Sequence, residues 1–333
     1  MLGILDRLVL AAANLGAGLA HPWLALSFAW RRRRWPCFAT PSGLSELVQW
    51  RKVFDRNPLF PVLSDKLRLK TWVHERAPEA RVAEIVWSGT RAADLPDRFL
   101  VPGYVIKANH GTSANYFPHR ETLPRAGLES RLEGWLRSRY DAELQWAYGR
   151  IPPRLMVERL IGDGRPLWEM TFRCADGVAA TAFVVLGQKT QHERKAYFTG
   201  SGDRLPDEVG LPPAQCLPPD YRTGPEFGRA RALAEKLSRG FDFVRVDLIL
   251  DGDDIYVCEM TFYPSSGFGD EDRTFTAERI ERAWLGAIAR SWFLSSPQPW
   301  PLSLYAAAFR RWAAARLQSR VRAIPMSAER TEP

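Results

Sequence analysis

Residues 244–268 read VRVDLILDGDDIYVCEMTFYPSSGF, two β-rich runs around the turn-forming cluster Asp251-Gly252-Asp253-Asp254. Such runs predict a hairpin with a short glycine-containing loop. With a loop of Gly252-Asp253-Asp254, Asp251 pairs with Ile255, Asp247 lies opposite Glu259 and Arg245 opposite Thr261. Alternation with period two sets Arg245, Asp247, Glu259 and Thr261 on one face. The other face carries Val244, Val246, Leu248, Leu250, Tyr256, Cys258, Met260 and Phe262 and predicts a core surface. Opposed carboxylates on neighbouring strands repel, so the Asp247–Glu259 pair asks for a cation between them, and hard oxygen ligands point to magnesium. The competing reading is a surface hairpin whose carboxylates each find a local Lys or Arg, since solvated faces are common on antiparallel sheets.

A chain of 333 residues holds one large or two moderate domains with ample core. Hydrophobic and charged contents of 46% and 25% are ordinary for a folded protein. The net charge of +8 points to anionic partners such as nucleotides, acidic polymers or an anionic membrane face. Basic residues concentrate in Arg31-Arg32-Arg33-Arg34 and in the tail from Arg310 to Arg322. Cys37, Cys174, Cys216 and Cys258 are far apart without a CxxC pair, and read as small buried hydrophobes in a reducing compartment. The histidines show no HExxH spacing, and neither a Walker A loop nor GxGxxG after a strand is present. Nucleic-acid binding has only net charge behind it, so no nucleic-acid partner is expected.

The first thirty residues stand apart. Leu8 to Trp30 is largely apolar and the four arginines follow at once. A membrane span with a positive flank fits the length, but Asn14, His21 and Pro22 interrupt it. A signal peptide cleaved near Ala20 is the less favoured reading, because its n-region holds one Asp and one Arg and no net charge. The preferred reading is an interfacial, monotopic segment with arginines at the headgroups; a helix capping the main domain is the alternative.

Along the chain, residues 40–63 predict an amphipathic helix entered at Ser45 or Pro41-Ser42, and Ser64 to Glu75 a helix capped by Ser64 or Asp65. Strands are expected at 83–87, 99–107, 155–160, 168–174 and 178–186, and a helix over Leu128–Tyr148 with Tyr140 on its apolar face. An irregular stretch, 200–224, precedes a helix over 226–239 that stops at Gly240. A helix over 277–293 and, after the Pro297–Pro301 break, a basic amphipathic helix close the chain. In the latter Tyr305, Phe309 and Trp312 share a face, fit either for anionic lipid or for the protein's own surface. The expected division is an apolar and basic segment at 1–40, a main domain at 41–280 and a helical basic tail at 281–333.

Lys107 ends the apolar strand VPGYVIK and opens the loop Ala108-Asn109-His110-Gly111-Thr112-Ser113. A strand-end lysine before a small glycine loop suits a polyphosphate, with the ammonium as point charge and the N–H groups as donors. Lys66 reads either as a second phosphate lysine or as an exposed helix N-terminal charge. Glu158, after Leu155-Met156-Val157, reads as an acceptor for an adenine amine with the backbone near Leu160 reading the ring edge, or as an ion-pair partner. Glu169, beyond the Gly162-Asp163-Gly164 turn, is a candidate for a ribose hydroxyl.

In order, an early Lys, a strand-end Lys with a flexible loop, a Glu-turn-Glu and a final R-x-D…E-x-T-x-x-P resemble the ATP-grasp superfamily. Within it the chain most resembles the teichuronopeptide-biosynthesis (TupA-like) family. The matching stretches are QWRKVFDRNPLF, SDKLRLKTWV, LPDRFLVPGYVIKANHGT, QHERKAYF, KLSRGFDFVRVDLIL and IYVCEMTFYPSSGF, over roughly residues 40–270. The resemblance implies an α+β ATP-grasp fold, nucleotide between two α+β subdomains, with helical terminal extensions. It implies ATP and Mg²⁺ as cofactors. Lys66, Lys107 and the loop His110, Gly111, Thr112 and Ser113 would bind phosphates, Glu158 and Leu160 the adenine, and Glu169 the ribose. Asp247, Glu259 and Thr261 would hold the metal and Arg245 the transferring phosphoryl group. D-alanine–D-alanine ligases share this layout with Asn at the position of Thr261, whose hydroxyl is a weaker ligand. His192 and Arg194 match a His-x-Arg element, and Arg194 is expected on phosphate or an acidic acceptor.

The function implied is an ATP-dependent carboxylate–amine ligase acting through an acyl phosphate in cell-surface polysaccharide or peptidyl-polymer assembly. Its partners would be ATP, a carboxylate donor such as a uronic-acid-containing glycan, an amine acceptor such as an amino acid, and an anionic membrane surface. The expected location is cytoplasmic and peripheral at the inner membrane face. Two alternatives stand: a kinase on the same scaffold that phosphorylates a sugar, and a non-catalytic membrane-associated scaffold, against which Lys107, Asp247 and Glu259 argue.

Overall fold

A computed structural model of the chain describes residues 2–139, 142–164, 166–187, 192–206, 212–269 and 275–322. They form two compact units, one of residues 1–57, 240–243 and 265–333 and one of 58–239 and 244–264. The division interleaves along the chain, so residues 41–57, 265–269 and 275–280 belong with the terminal helices and not with the strands.

The first unit is helical: α1 (Ile4–Ala20), α2 (Pro22–Arg32), α3 (Leu44–Phe54), α8 (Phe275–Ala287), α9 (Trp292–Ser295) and α10 (Leu302–Arg322). Trp50 of α3 organises its core. Its indole stacks on Phe309 at 4.9 Å, meets Phe293 edge-on at 6.0 Å and donates to the Tyr305 hydroxyl at 2.9 Å. Tyr305 and Phe309 are therefore core residues, so the aromatic face of α10 is docked on this unit and is unavailable to lipid. Arg51 is fully buried, paired with Asp242 at 2.6 Å and laid over the Trp284 ring at 4.1 Å. Its charge is kept by that partner and the ring face.

The second unit holds α4 (Phe60–Ser64), α5 (Lys66–Arg76), α6 (Arg125–Arg137), α7 (Pro225–Ser238) and, among the described residues, every strand: β1 (Ile85–Gly89), β2 (Tyr104–Ala108), β3 (Asn115–Tyr116), β4 (Leu155–Arg159), β5 (Trp168–Ala175), β6 (Val178–Leu186), β7 (Arg194–Thr199), β8 (Val244–Asp251) and β9 (Asp254–Thr261). One antiparallel sheet has the order β1-β4-β2-β3 and packs Ile106, Leu155 and Val157 against Leu128 and Leu132 of α6. The other has the order β7-β6-β5-β8-β9 and lays its apolar face, through Phe172, against Phe227 of α7. Helix α6 stops at Arg137, short of the expected Tyr148, and Tyr140 lies outside the described residues. Strand β2 starts only at Tyr104, because Gly103, at a φ of +95°, breaks the extended run before it.

The β8–β9 hairpin departs from expectation by one residue at each of two places. Its loop has two residues, Gly252 and Asp253, with Asp251 opposite Asp254 and Gly252 at a φ of +60°. A β-bulge at Cys258 then restores the register, so Asp247 faces Glu259 and Arg245 faces Thr261. Between the loop and the bulge the parity of β9 is reversed. Val257 is a core residue and pairs with Leu248, while Tyr256 pairs with Ile249 on the opposite face from the one expected.

Candidate active site

Cross-strand register sets three rows of side chains on the face of the five-stranded sheet away from α7. The first is Lys195, Val185, Glu169, Ile249 and Tyr256; the second Tyr197, Phe183, Thr171, Asp247 and Glu259; the third Thr199, Thr181, Arg173, Arg245 and Thr261. Residues directly opposite on adjacent strands have Cβ atoms about 5 Å apart, so Asp247 and Glu259 are immediate neighbours. Arg245 forks onto Asp247, with Nε donating to one oxygen at 3.0 Å and Nη2 to the other at 2.6 Å. Thr261 donates its hydroxyl to Glu259 at 2.9 Å.

The electrostatics follow from crowding. Burial raises the pKa of Asp247; Arg245 opposes that and the Glu259 charge adds to it. Burial also opposes ionisation of Glu259, yet Lys66 and Arg245, with the Thr261 hydroxyl, hold it below its ordinary value. Burial works against Arg245 as well, but the two carboxylates keep it firmly charged. Tyr148 senses Glu259, Arg245 and Asp247, and its phenol is raised first by burial and then by Glu259.

The lysines come from the other elements of the unit. Asp65 caps α5 by accepting from the Leu67 amide at 2.9 Å, and this sets Lys66 at the first helical position. The Lys66 amide donates to the Asn109 carbonyl at 3.1 Å and its ammonium to the Gly111 carbonyl at 2.5 Å. Asn109 is the brace of the loop: its amide group donates to Asp65 at 3.0 Å and to the Pro152 carbonyl at 3.1 Å, and its oxygen accepts from the Arg154 amide at 2.7 Å. Burial lowers the pKa of Lys66, and Lys107 lowers it further against the pull of Glu259 and Glu158. Lys107 sits inside the four-stranded sheet and donates to Glu158 at 2.5 Å. Lys70, one turn after Lys66, takes the other Glu158 oxygen at 2.8 Å. Burial disfavours the Glu158 carboxylate, but the two ammonium groups hold its pKa down to about 2. For Lys107, burial works against the charge and Glu158 more than offsets it.

Lys66, Lys107, Glu158, Glu259, Asp247 and Arg245 thus share one electrostatic neighbourhood. Glu169 is half-buried on the same face of the sheet, and its charge is felt by Cys258 together with those of Lys107, Glu158 and Lys70. Burial pushes the Cys258 thiol up to about 12. Thr112 and Ser113 are exposed at the loop tip, Ser113 at a φ of +58°.

Other candidates are placed differently. Arg194 shares its row with Leu186, Trp168 and Leu250, the apolar side of the sheet, because one residue of shift along β7 exchanges faces; Lys195 takes the site side. His110 is buried, with one ring nitrogen at 3.2 Å from the Asn109 side-chain oxygen and the other at 3.3 Å from the Ser138 carbonyl. The Leu160 amide donates to the Gly103 carbonyl at 2.8 Å, which leaves its carbonyl alone for a ring edge. Both Glu158 oxygens are occupied by lysines, so the ion-pair reading describes it better than an adenine contact. Sequence reasoning passed over Lys70, Tyr148, Thr171 and Arg173. The spacing of Lys70, four after Lys66 on a helix, was the one available signal.

Two carboxylates and a hydroxyl make a donor set short of a closed cage, and among the described residues no three His, Cys, Asp or Glu side chains converge on a metal position. Magnesium suits such a set, since it commonly takes one or two carboxylates and completes its shell with phosphate oxygens and water. Each carboxylate oxygen bonded to Arg245 keeps a second lone pair for it.

The profile of a family described as TupA-like ATPgrasp matches residues 46–287. No curated protein matches the chain. Among solved structures, the D-alanine–D-alanine ligase from Bacillus anthracis complexed with ATP is 15% identical, covers 78% of this chain and 68% of its own, and superposes with a TM-score of 0.36. The ATP-grasp ligase PsnB, complexed with a variant of its minimal precursor, Mg and ADP, is 11% identical over 80% of this chain and 66% of its own, TM-score 0.35. An L-amino acid ligase from Bacillus licheniformis is 13% identical over 66% and 45%, TM-score 0.36. Likenesses of this size carry no argument about substrate, and the chain spans about two thirds of the length of the first two and under half of the third.

Proposed function

The chain belongs to the TupA-like ATP-grasp family, and from that premise we propose that it is an ATP-dependent carboxylate–amine ligase. The observation that carries the reading is the opposed pair Asp247–Glu259, with Arg245 forked onto Asp247 and Lys66 and Lys107 within electrostatic reach. Repelling carboxylates surrounded by three cations make a poor structural device and a good polyphosphate–metal cradle.

A donor carboxylate attacks the γ-phosphorus of ATP; the bond to the bridging oxygen breaks, and ADP leaves behind an acyl phosphate. An amine then attacks the acyl carbon, inorganic phosphate departs with the electron pair, and the nitrogen gives up a proton as the amide forms. Magnesium, held by Asp247 and Glu259 with Thr261 beside them, would supply neutralisation of charge on the phosphates. Lys66, Lys107 and Arg245 hold positive charge where negative charge develops, so the work is positioning and electrostatic stabilisation. Glu158 positions Lys107 and Lys70. Glu169 is the candidate for the ribose, and the loop Gly111–Ser113 for covering the phosphates, tied at its base by Lys66.

The donor we propose is an acidic glycan, a uronic acid carboxylate, and the acceptor an amino acid. Dependence on ATP suits the cytoplasmic side of the membrane. The test is ADP release with Mg²⁺ across amino acids combined with uronic-acid and peptide carboxylates. Turnover that requires a carboxylate and an amine together, and a hydroxamate when hydroxylamine replaces the amine, is expected. A stable phosphate ester from a sugar alone would replace the ligase by a kinase.

A further inference from the structure

The first unit presents an apolar surface that the chemistry of the second does not use. Along α1 the residues Ile4, Leu8, Leu15 and Leu19 form one stripe, and α2 adds Trp23 and Trp30; Trp35 and Trp300 follow, and all eight are 63–82% exposed. The opposite stripe of α1, with Asp6, Leu10 and Ala17, is buried, and α1 packs on α10. Asp6 accepts a forked pair from Arg311 at 2.6 and 3.0 Å. Asn14 accepts from the Ala39 amide at 3.1 Å, and the Ala39 carbonyl accepts from the Tyr305 hydroxyl at 3.2 Å. Helix α1 therefore runs antiparallel to α10. At about 1.5 Å per residue, Leu19 comes level with the exposed Trp300 and Leu302.

Exposed tryptophans in such number, next to a leucine stripe, are rare on a surface left to water. They suit a bilayer interface, where an indole has one apolar and one polar side. The charge agrees. Residues 1–35 and helix α10 together hold ten arginines and one acid, Asp6, a net +9 against +8 for the whole chain, so the remainder is slightly acidic. Not all of these arginines are available: Arg32 donates to Ser45 and Gly269, Arg34 pairs with the buried Glu46 and Arg31 lies over the Phe268 ring at 4.3 Å, while Arg7 and Arg33 are exposed. A second copy of the chain is the poorer occupant, because a two-fold interface would set this positive surface against itself.

We propose that α1, α2 and the Trp300–Leu304 approach to α10 form a monotopic docking face for an anionic lipid bilayer. The pair lies on the membrane and does not cross it. Among the described residues no single helix is long and apolar enough to span, α1 and α2 are bent by 98°, and the inner stripe of α1 is bonded to α10. The leucines and tryptophans enter the acyl boundary, and Arg7 and Arg33 meet the headgroups.

The experiment is sedimentation of the full-length protein with vesicles of phosphatidylcholine alone or with three tenths phosphatidylglycerol. Binding to the anionic vesicles at least about tenfold stronger is expected, with a blue shift of tryptophan emission. The variant Leu15→Glu/Leu19→Glu/Trp23→Glu/Trp30→Glu should lose that binding while keeping its circular dichroism and melting temperature, since all four side chains are exposed. Equal affinity for both vesicles, undiminished binding of the variant, or self-association abolished by the same substitutions without vesicle binding would overturn the proposal. No step of the assay uses ATP, so its outcome is independent of the ligase reading.

Discussion

Glu158→Gln is the substitution that most directly probes how the lysines are held. The carboxylate is buried between Lys107 at 2.5 Å and Lys70 at 2.8 Å, and its pKa is lowered from 4.5 to about 2. A difference of about 2.5 units at about 1.4 kcal/mol each makes the ionised form worth about 3 kcal/mol to folding. Because the folded pKa is the depressed one, that stabilisation is complete above pH 4.5 and disappears as pH falls through about 2. Glutamine keeps the shape and removes the charge, leaving two ammonium groups without their counterion. For a unit of this size, about 3 kcal/mol corresponds to a fall in melting temperature of about 6–12 °C at pH 7. Thermal melts of parent and variant from pH 2 to pH 8 provide the assay, with the difference between them as the readout. It should be large and flat above pH 5 and shrink steadily below pH 4.5. A variant melting within about 2 °C of the parent at pH 7, or a difference that does not shrink in acid, would refute the lysine clamp.

Asp247→Asn should cut ADP release by at least about a hundredfold, the scale of removing one electrostatic stabiliser, while its melting temperature at pH 8 is no lower than the parent's, because burial and Glu259 already disfavour the ionised form; a large loss of stability with turnover intact would contradict the site. In the first unit, burial and the Asp242 charge push the Asp55 carboxyl up to about 7, so its ionisation opposes folding as pH rises from 3.8 towards that value. Asp55→Asn should therefore gain on the parent by about 1.4 kcal/mol per pH unit over that window, read from paired urea titrations at pH 5 and pH 7. Gly267→Ala should destabilise by about 1–3 kcal/mol, since Gly267 has a φ of +71° and a Cβ there would lie 2.4 Å from Gln49 Nε2 and 3.0 Å from the Ser45 carbonyl; an unchanged denaturation midpoint would show that the loop relaxes.

Residues 244–268 alone determined that Arg245, Asp247, Glu259 and Thr261 share a face, because strand parity is a local property and a turn cluster sets the pairing within a residue. The loop proved one residue shorter, and the bulge at Cys258 cancelled that difference before Glu259. A bulge carries no sequence signature of its own, so the reversed parity of Tyr256 and Val257 was legible only in the folded hairpin. The order of Lys66, Lys107 and Glu158 was equally plain along the chain, but their convergence was not. Whether Glu158 reads a ligand or clamps two lysines depends on Lys70 of α5 reaching β4, an ion pair between residues some ninety positions apart. The same limit applies to α10 and β7. Period alone shows that Tyr305 and Phe309 lie together, but only packing around Trp50 decides that they face inward. Arg194 differs from Lys195 by one step of the pleat, and the sheet's packing on α7 decides which of them meets the carboxylates' face.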